Sequence, residues 1–304
     1  MSKATLSGVV IGLGHMGAHH LRRLAAREDV RVRAVDPPKG LTSPIGRPDF
    51  AVVAVPTSAH LEVALPLLEA GIPCLVEKPL AATVEQASRL VGFPHCLPGH
   101  VERFNPVFSV IGEVPVRYLQ AERMAPPTGR DRDVDVVRDL MIHDLDLVLW
   151  LLGGQVTDLR TVGLTLPGWP GGEPGAIDIA NVRLETAAGG VATLTASRVS
   201  RRSTRRMRLF TDDDYWSLDL GERRAERVRW SSGELDASPV AVPSQDPLDA
   251  EHDALLAYVR GVRAFPITAE DGLLALDLAE RVAQSTLKKS PHARPRGAGP
   301  KETP

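Results

Sequence analysis

The stretch Gly8-Val9-Val10-Ile11-Gly12-Leu13-Gly14-His15-Met16-Gly17 (GVVIGLGHMG, residues 8–17) decides how the first hundred residues are read. Four residues with the look of a buried strand run straight into G-x-G-x-x-G, and a helical pattern follows to about Arg27. In that setting each glycine has a separate reason. Gly12 makes the tight turn, Gly14 lets the backbone approach a pyrophosphate, and Gly17 lets the helix pack closely on the strand. The helix N-terminus then offers free N–H groups to phosphates. A second strand over Val30–Val35 ends at Asp36, about 20 residues on. A carboxylate there suits a ribose 2′-hydroxyl and repels a 2′-phosphate, which favours NAD over NADP. Arg33 lies before the strand tip and does not reverse that preference.

Further strand and helix signals alternate outward from this motif. Phe50–Val55 reads as a third strand. Thr57 and Ser58 are candidate caps for the helix LEVALPLLEAG, which Pro66 would interrupt or kink. Cys74-Leu75-Val76 is a buried strand ending in Glu77-Lys78-Pro79. Thr83 and Gln86 form a capping box for the next helix. This βαβα order predicts a parallel sheet covered by helices. One unit is missing. Only PPKGLTSPIGRPD (37–49) links Asp36 to Phe50, and its four prolines and two glycines suit neither helix nor strand. The expected sheet is therefore trimmed, with the strand ending at Asp36 on its edge and the loop covering that edge. Val91–Gly99 is short and Pro-rich.

After about residue 106 the pattern becomes that of an antiparallel sheet. Its expected strands are Val116–Arg123, Val156–Leu166, Ile177–Glu185, Val191–Val199, Arg206–Phe210 and Tyr215–Leu220. The helices RDLMIHDLDLVLWLL (138–152) and HDALLAYVRGVRA (252–264) are placed with it, and a last helix starts near Thr268. The division predicted is 1–105 for dinucleotide binding, 106–290 for substrate and oligomerisation, and 291–304 as a Pro/Gly-rich flexible tail. The fold class is α/β: a trimmed doubly wound domain, then an α+β domain with a large, mostly antiparallel open sheet. A homo-oligomer, dimer or tetramer, is expected through that sheet.

Bulk composition narrows the classes. The 36 Lys+Arg against 38 Asp+Glu give a net charge of −2, which argues against nucleic acid or a membrane surface as partner. No apolar run approaches the roughly 18 residues that cross a bilayer. The two cysteines, Cys74 and Cys96, provide neither a disulfide framework nor a zinc cluster, so no metal is expected and a cytoplasmic setting is.

The helix at 138–152 carries the second chemical signal. At about 100° per residue, Asp139, His143 and Asp146 fall within one stripe about 60° wide, while Asp144 points elsewhere. The rest is almost all apolar, so the stripe suits a polar cavity better than bulk water. His143, four residues after Asp139, can be oriented by it. The alternative is an Asp–His pair that only stabilises a packed helix. Lys78, at the C-terminal end of a parallel strand, lies where ligands bind in open α/β sheets; an ordinary strand-end charge is the alternative. SRVSRRSTRRMR (197–208) packs six arginines into twelve residues. It reads first as a solvated strand edge, then as a contact for a diphosphate or a neighbouring subunit.

VVIGLGHMGAHHLRRL, AVVAVPTSAH, VEKPLAAT, the Asp139-x-x-x-His143 helix and ITAEDGLLALDLAERVAQS together resemble the glucose–fructose oxidoreductase / inositol dehydrogenase family (Gfo/Idh/MocA). That resemblance implies a Rossmann domain, an open-sheet second domain, and NAD(P)-dependent oxidation of a sugar or cyclitol carbon. It assigns catalysis to Lys78, Asp139 and His143. For the cofactor it implies Gly12, Leu13, Gly14, His15, Met16, Gly17, Asp36, Pro56, Thr57, His60, Glu77 and Lys78. GHVERFNPVF (99–108) with the DVDVVRDLMIHDLDL helix looks like the UDP-N-acetylglucosamine 3-dehydrogenase branch, so the substrate expected is a UDP-N-acetylhexosamine oxidised at C3. His100, Glu102, Arg103, Asn105, Arg123 and Asp135 are candidate substrate contacts. Two readings stand beside this one: a free-sugar, inositol or dihydrodiol dehydrogenase of the same family, and a non-catalytic cofactor-sensing protein.

Overall fold

A computed structural model describes residues 4–36, 46–112, 114–127, 134–166, 169, 176–231 and 233–289. The expected edge-covering loop falls largely on 37–45, and the expected tail on 291–304; both lie outside the described residues.

The first sheet is all parallel. Its strands are β1 (Leu6–Ile11), β2 (Val30–Val35), β3 (Phe50–Val53), β4 (Cys74–Glu77) and β5 (Cys96–Gly99), in the order β2-β1-β3-β4-β5. β2 is the edge, as the short link after Asp36 requires. The Pro-rich Val91–Gly99 stretch still delivers a strand, β5, paired in register with β4. Successive residues point to opposite faces. Val10, Val52, Leu75 and Leu97 face one way; Val9, Ile11, Val53 and Val76 face the other.

Helices α1 (His15–Ala25), α2 (His60–Glu69) and α3 (Val84–Val91) follow β1, β3 and β4. Pro66 sits inside α2. The expected Thr57/Ser58 cap is not made, because a 3-10 turn over Thr57–Ala59 precedes the helix and no side chain bonds its first turn. Half of the expected capping box forms: Thr83 Oγ accepts from the Gln86 N–H at 3.2 Å, but Gln86 Oε1 is buried without a partner.

The second sheet has eight strands: β6 (Tyr118–Met124), β7 (Val156–Leu164), β8 (Ile179–Thr186), β9 (Val191–Ser197), β10 (Thr204–Phe210), β11 (Asp214–Asp219), β12 (Arg224–Ser231) and β13 (Glu234–Val240), ordered β13-β12-β11-β10-β6-β9-β8-β7. Only β6 and β9 pair in parallel. The sequence reading missed β12 and β13, whose largely exposed, charged residues show little apolar alternation. α4 (Ile142–Leu152) and α6 (Ala269–Lys289) cover one face through Leu145, Val148, Ala275, Leu278 and Val282.

α5 (Pro247–Val259), placed by sequence with the second sheet, packs instead on the first. Ala254, Leu255 and Leu256 join Val10, Leu24, Val52 and Leu75 in one core. α6 spans both cores, with Ala269 and Leu276 in the core beneath α3 and Leu278 against the second sheet. The two sheets are thereby tied through a shared helix, and Lys78, just past the end of β4, reaches Asp139 ahead of α4.

Candidate active site

Two of the three motif glycines are demanded by packing. Gly12 has φ +92°, and a Cβ there would lie 2.5 Å from the Ala54 carbonyl oxygen. A Cβ at Gly17 would lie 1.9 Å from the Gly12 carbonyl oxygen. Gly14 differs, since a Cβ there would meet nothing within 4 Å. Its bare backbone faces open space, as close approach by a ligand requires. Gly14 also occupies the N-cap of α1 with no side-chain cap, so the first-turn N–H groups remain for an anion. Asp36 Oδ1 accepts from the Leu13 N–H at 3.1 Å, which joins the tip of β2 to the loop. This cradle fits a dinucleotide, with pyrophosphate at α1 and a ribose beside Asp36.

His15 and Met16 open α1, and Pro56 and Thr57 stand on the loop after β3. His60 and Glu77 do not face this cradle. His60 is 1% exposed, with Nδ1 2.9 Å from the Pro79 carbonyl oxygen and Nε2 2.9 Å from that of Val55. Burial lowers its pKa, and a neutral ring, with a single N–H, donates to only one of the two carbonyls at a time. Glu77 turns into the core, where its Oε1 meets His20 Nε2 at 2.7 Å. Burial alone would raise the Glu77 pKa; the His20 hydrogen bond and charge outweigh it and lower it.

Lys78 crosses between the two sheets. Its Nζ donates to the Asp139 carbonyl oxygen at 2.6 Å and to Asp139 Oδ1 at 3.3 Å. His143 stands close enough for the Lys78 charge to act on it: burial first, then Lys78, holds its pKa well below the ordinary histidine value. The ring is neutral at pH 7, and its Nδ1 is buried with no hydrogen-bond partner. The expected Asp139–His143 orienting bond is replaced by the Lys78–Asp139 pair. The reason is local: Val137–Met141 is a π-turn ahead of α4. Its wider turn breaks the 100° spacing on which the i,i+4 meeting depended, and such turns recur at functional sites.

Most other candidates are committed to internal ion pairs. Arg123 grips both oxygens of Asp144 at 2.8 and 2.9 Å and donates to Glu102 Oε1 at 2.8 Å, all buried. Asp144 is thus the partner of a strand arginine rather than a stray charge. Burial pushes its carboxyl up despite Arg123, whereas Arg123 and Arg205 overcome burial and hold Glu102 down. Arg103 likewise forks onto Asp146 at 2.6 and 2.8 Å and lies over the Trp150 ring. Asn105 bonds Glu102 and the Leu220 carbonyl and caps the following turn. Asp135 caps the π-turn through the Val137 and Arg138 N–H groups. These five side chains are held by contacts within the protein. His100 differs: it is 1% exposed, neither ring nitrogen makes a hydrogen bond, and its Nδ1 lies 3.7 Å from Asp146 Oδ2.

Sequence reasoning missed a buried cluster behind β4. His20 Nδ1 lies 2.8 Å from His252 Nε2, completing a Glu77–His20–His252 chain. Glu251 beside it is fully buried, with both carboxylate oxygens unpartnered. One donor atom from each of His20, Glu77 and Glu251 lies within 4.8 Å of the others. The signal was present as His20 and Glu251 on the apolar faces of two helices, but it could be used only once α5 was placed on the first sheet.

Comparisons with known proteins identify both domains. Residues 24–93 match the model described as "Oxidoreductase family, NAD-binding Rossmann fold", and residues 111–215 match the "GFO/IDH/MocA C-terminal domain". The chain is 32% identical to UDP-N-acetylglucosamine 3-dehydrogenase of Acidithiobacillus ferrooxidans, over 90% of this chain and 96% of that one. A solved structure of that enzyme superposes with a TM-score of 0.85 at 30% identity, covering 93% of this chain and 98% of the other. Inositol 2-dehydrogenase of Corynebacterium glutamicum (strain R) is 28% identical over 53% of this chain and 58% of its own. With its glycine cradle, its lysine bridge and both domain matches in place, this chain belongs to the Gfo/Idh/MocA family of NAD-binding oxidoreductases.

Proposed function

We propose that this protein oxidises a secondary hydroxyl of a nucleotide-linked sugar, C3 of a UDP-N-acetylhexosamine, with NAD as cofactor. The observation that carries the chemistry is the Lys78–Asp139 bridge, which sets an ammonium beside a neutral, buried His143. The substrate reading draws on the 32% identical relative, which the chain matches over nearly its whole length. NAD rather than NADP follows from Asp36, whose carboxylate at the β2 tip would repel a 2′-phosphate.

His143 takes the hydroxyl proton as general base, because a neutral imidazole can accept it where an imidazolium cannot. Lys78 stabilises the alkoxide that develops as the proton leaves. Asp139 positions Lys78 through its carbonyl and carboxylate oxygens. His100, whose ring nitrogens make no hydrogen bond and whose Nδ1 lies 3.7 Å from Asp146, is assigned to a substrate hydroxyl through Nε2. NAD held at the Gly12–Gly17 cradle would supply the acceptor for the hydride of the same carbon, so the products would be a ketone, NADH and a protonated His143. The face of the second sheet opposite α4 and α6 exposes Phe210, Trp230 and Leu235, and we assign self-association to it.

The test is NAD reduction across UDP-N-acetylglucosamine, free hexoses and inositols, with product mass measured. A product lighter by two hydrogens from the UDP-sugar is expected. Turnover of inositols alone would overturn the substrate assignment.

A further inference from the structure

The arginine run Arg198–Arg208 plays no part in the chemistry so far, yet Arg205 within it reaches Glu102 at 3.5 Å. β9 ends at Ser197 and β10 begins at Thr204, so the intervening loop lies at the end of the sheet where β6 places Arg123. A cavity of about 640 Å3 opens there, with Arg202, Arg205 and Arg206 in its wall. Its size falls within the range of ligand pockets, roughly 300–1,000 Å3. Ser203 and Thr204 add hydroxyl donors to the same wall.

Two carboxylates also line it, Asp219 and Glu222, and each already has a cation. Arg206 Nε lies 3.5 Å from Asp219 Oδ2, and Arg224 Nη2 lies 3.4 Å from Glu222 Oε2. Arg205 is held by one long contact, 3.5 Å to Glu102 Oε1, and its side chain is 53% exposed. A guanidinium has five N–H donors, so most of them stay available.

Arg205 also links this cavity to the reacting groups. Glu102, its partner, is bonded to Arg123, which holds Asp144, the neighbour of His143. The Arg205 charge joins burial and Lys78 in lowering the basicity of His143. A ligand with a neutral ring at Lys78 and His143 and a diphosphate directed toward the turn between β9 and β10 would bring its charge to Arg205.

We infer that the cavity walled by Arg202, Arg205 and Arg206 receives the diphosphate of a nucleoside diphosphate sugar whose ring lies against Lys78 and His143. The inference rests on the oxidation proposed above and assigns the charged half of that substrate. Planar guanidinium forks suit phosphate oxygens, and a free hexose or inositol has no group to place on them.

The experiment uses the full-length protein loaded with NADH. It compares wild type with Arg202→Ala, Arg205→Ala and Arg205→Lys. UDP binding is measured by calorimetry, and kcat and KM are measured with UDP-N-acetylglucosamine and other UDP-sugars. Each alanine variant is expected to raise KM and weaken UDP binding by about 10-fold or more while kcat changes less than about 3-fold, with Arg205→Lys intermediate. Wild-type turnover of UDP-N-acetylglucosamine with unchanged KM and UDP affinity in both alanine variants overturns the diphosphate site and leaves the oxidation intact. Turnover of a different UDP-sugar with the same KM penalty keeps the site and overturns the hexosamine. Failure of wild type to bind UDP, with oxidation of free sugars only, overturns both.

Discussion

Lys78 Nζ, at the end of the first sheet, lies 2.6 Å from the carbonyl oxygen of Asp139, in the π-turn that opens α4. The bond joins the two halves of the chain at one point. A carbonyl acceptor fixes the ammonium without neutralising it, and the carboxylate at 3.3 Å adds a looser ionic hold.

Lys78 is therefore expected to act on the reaction rather than on cofactor affinity. Lys78→Met should lower kcat/KM for the sugar by about 10²–10⁴-fold, the span of a lost general-acid or electrostatic group. NADH binding, followed by fluorescence titration, should stay within about 3-fold of wild type. Near-normal turnover by Lys78→Met would remove the lysine from the chemistry.

His143 sets the acid side of the pH profile. Burial and the Lys78 charge lower its pKa, so it stays neutral below the usual histidine range. The acid limb of kcat/KM is expected below pH 6.5, the ordinary histidine value. Removing the Lys78 charge weakens one cause of the shift, so Lys78→Met should move that limb upward. The same group affects folding: protonation in the unfolded chain begins near 6.5, so its contribution to stability falls as pH drops through that value. An acid limb above pH 7 in wild type would contradict the assignment.

Arg123 joins two buried carboxylates. It is 3% exposed and sits between Glu102 and Asp144. Arg123→Met removes the cation and strands two buried carboxylates. Breaking one partner of a buried ion pair costs about 3–5 kcal/mol, so a loss of that order is expected by urea denaturation. The triple variant Arg123→Met, Glu102→Gln, Asp144→Asn should recover part of it. A loss under about 1 kcal/mol in Arg123→Met would show that the network relaxes or hydrates.

Sequence alone showed the elements whose pattern is set by local chemistry. G-x-G-x-x-G after a strand fixed the first βα unit, and the missing linker length fixed β2 as the edge. Lys78, Asp139 and His143 were brought together by resemblance, but the Lys78–Asp139 bond was not foreseen. That pairing depends on a π-turn, which no periodicity announces, and it gave Asp139 to Lys78 instead of His143. Asp144 looked stray because its partner, Arg123, comes from β6, and cross-element ion pairs leave no spacing in the chain. α5 was assigned by chain order to the wrong sheet, since an apolar helix face does not specify which surface it covers.

Glu251 offers the last prediction, and it is independent of substrate. Its carboxyl is fully buried with no hydrogen-bond partner on either oxygen, near Glu77. Burial, then the Glu77 charge, raises its pKa well above 4.5. In the unfolded chain the group loses its proton near 4.5, while the folded protein keeps it. Between these two values the native state binds more protons, so stability falls as pH rises through the window. The contribution is complete below about 4.5 and lost above the folded pKa. Glu251→Gln keeps the shape and removes the titration, so its stability should depend less on pH. Denaturant midpoints of both proteins, taken from about pH 5 to about pH 8, check this. The wild type should weaken relative to Glu251→Gln toward the alkaline end. Parallel curves across the range would mean that Glu251 is ionised in the fold, with its charge satisfied by a group or ion beside His20.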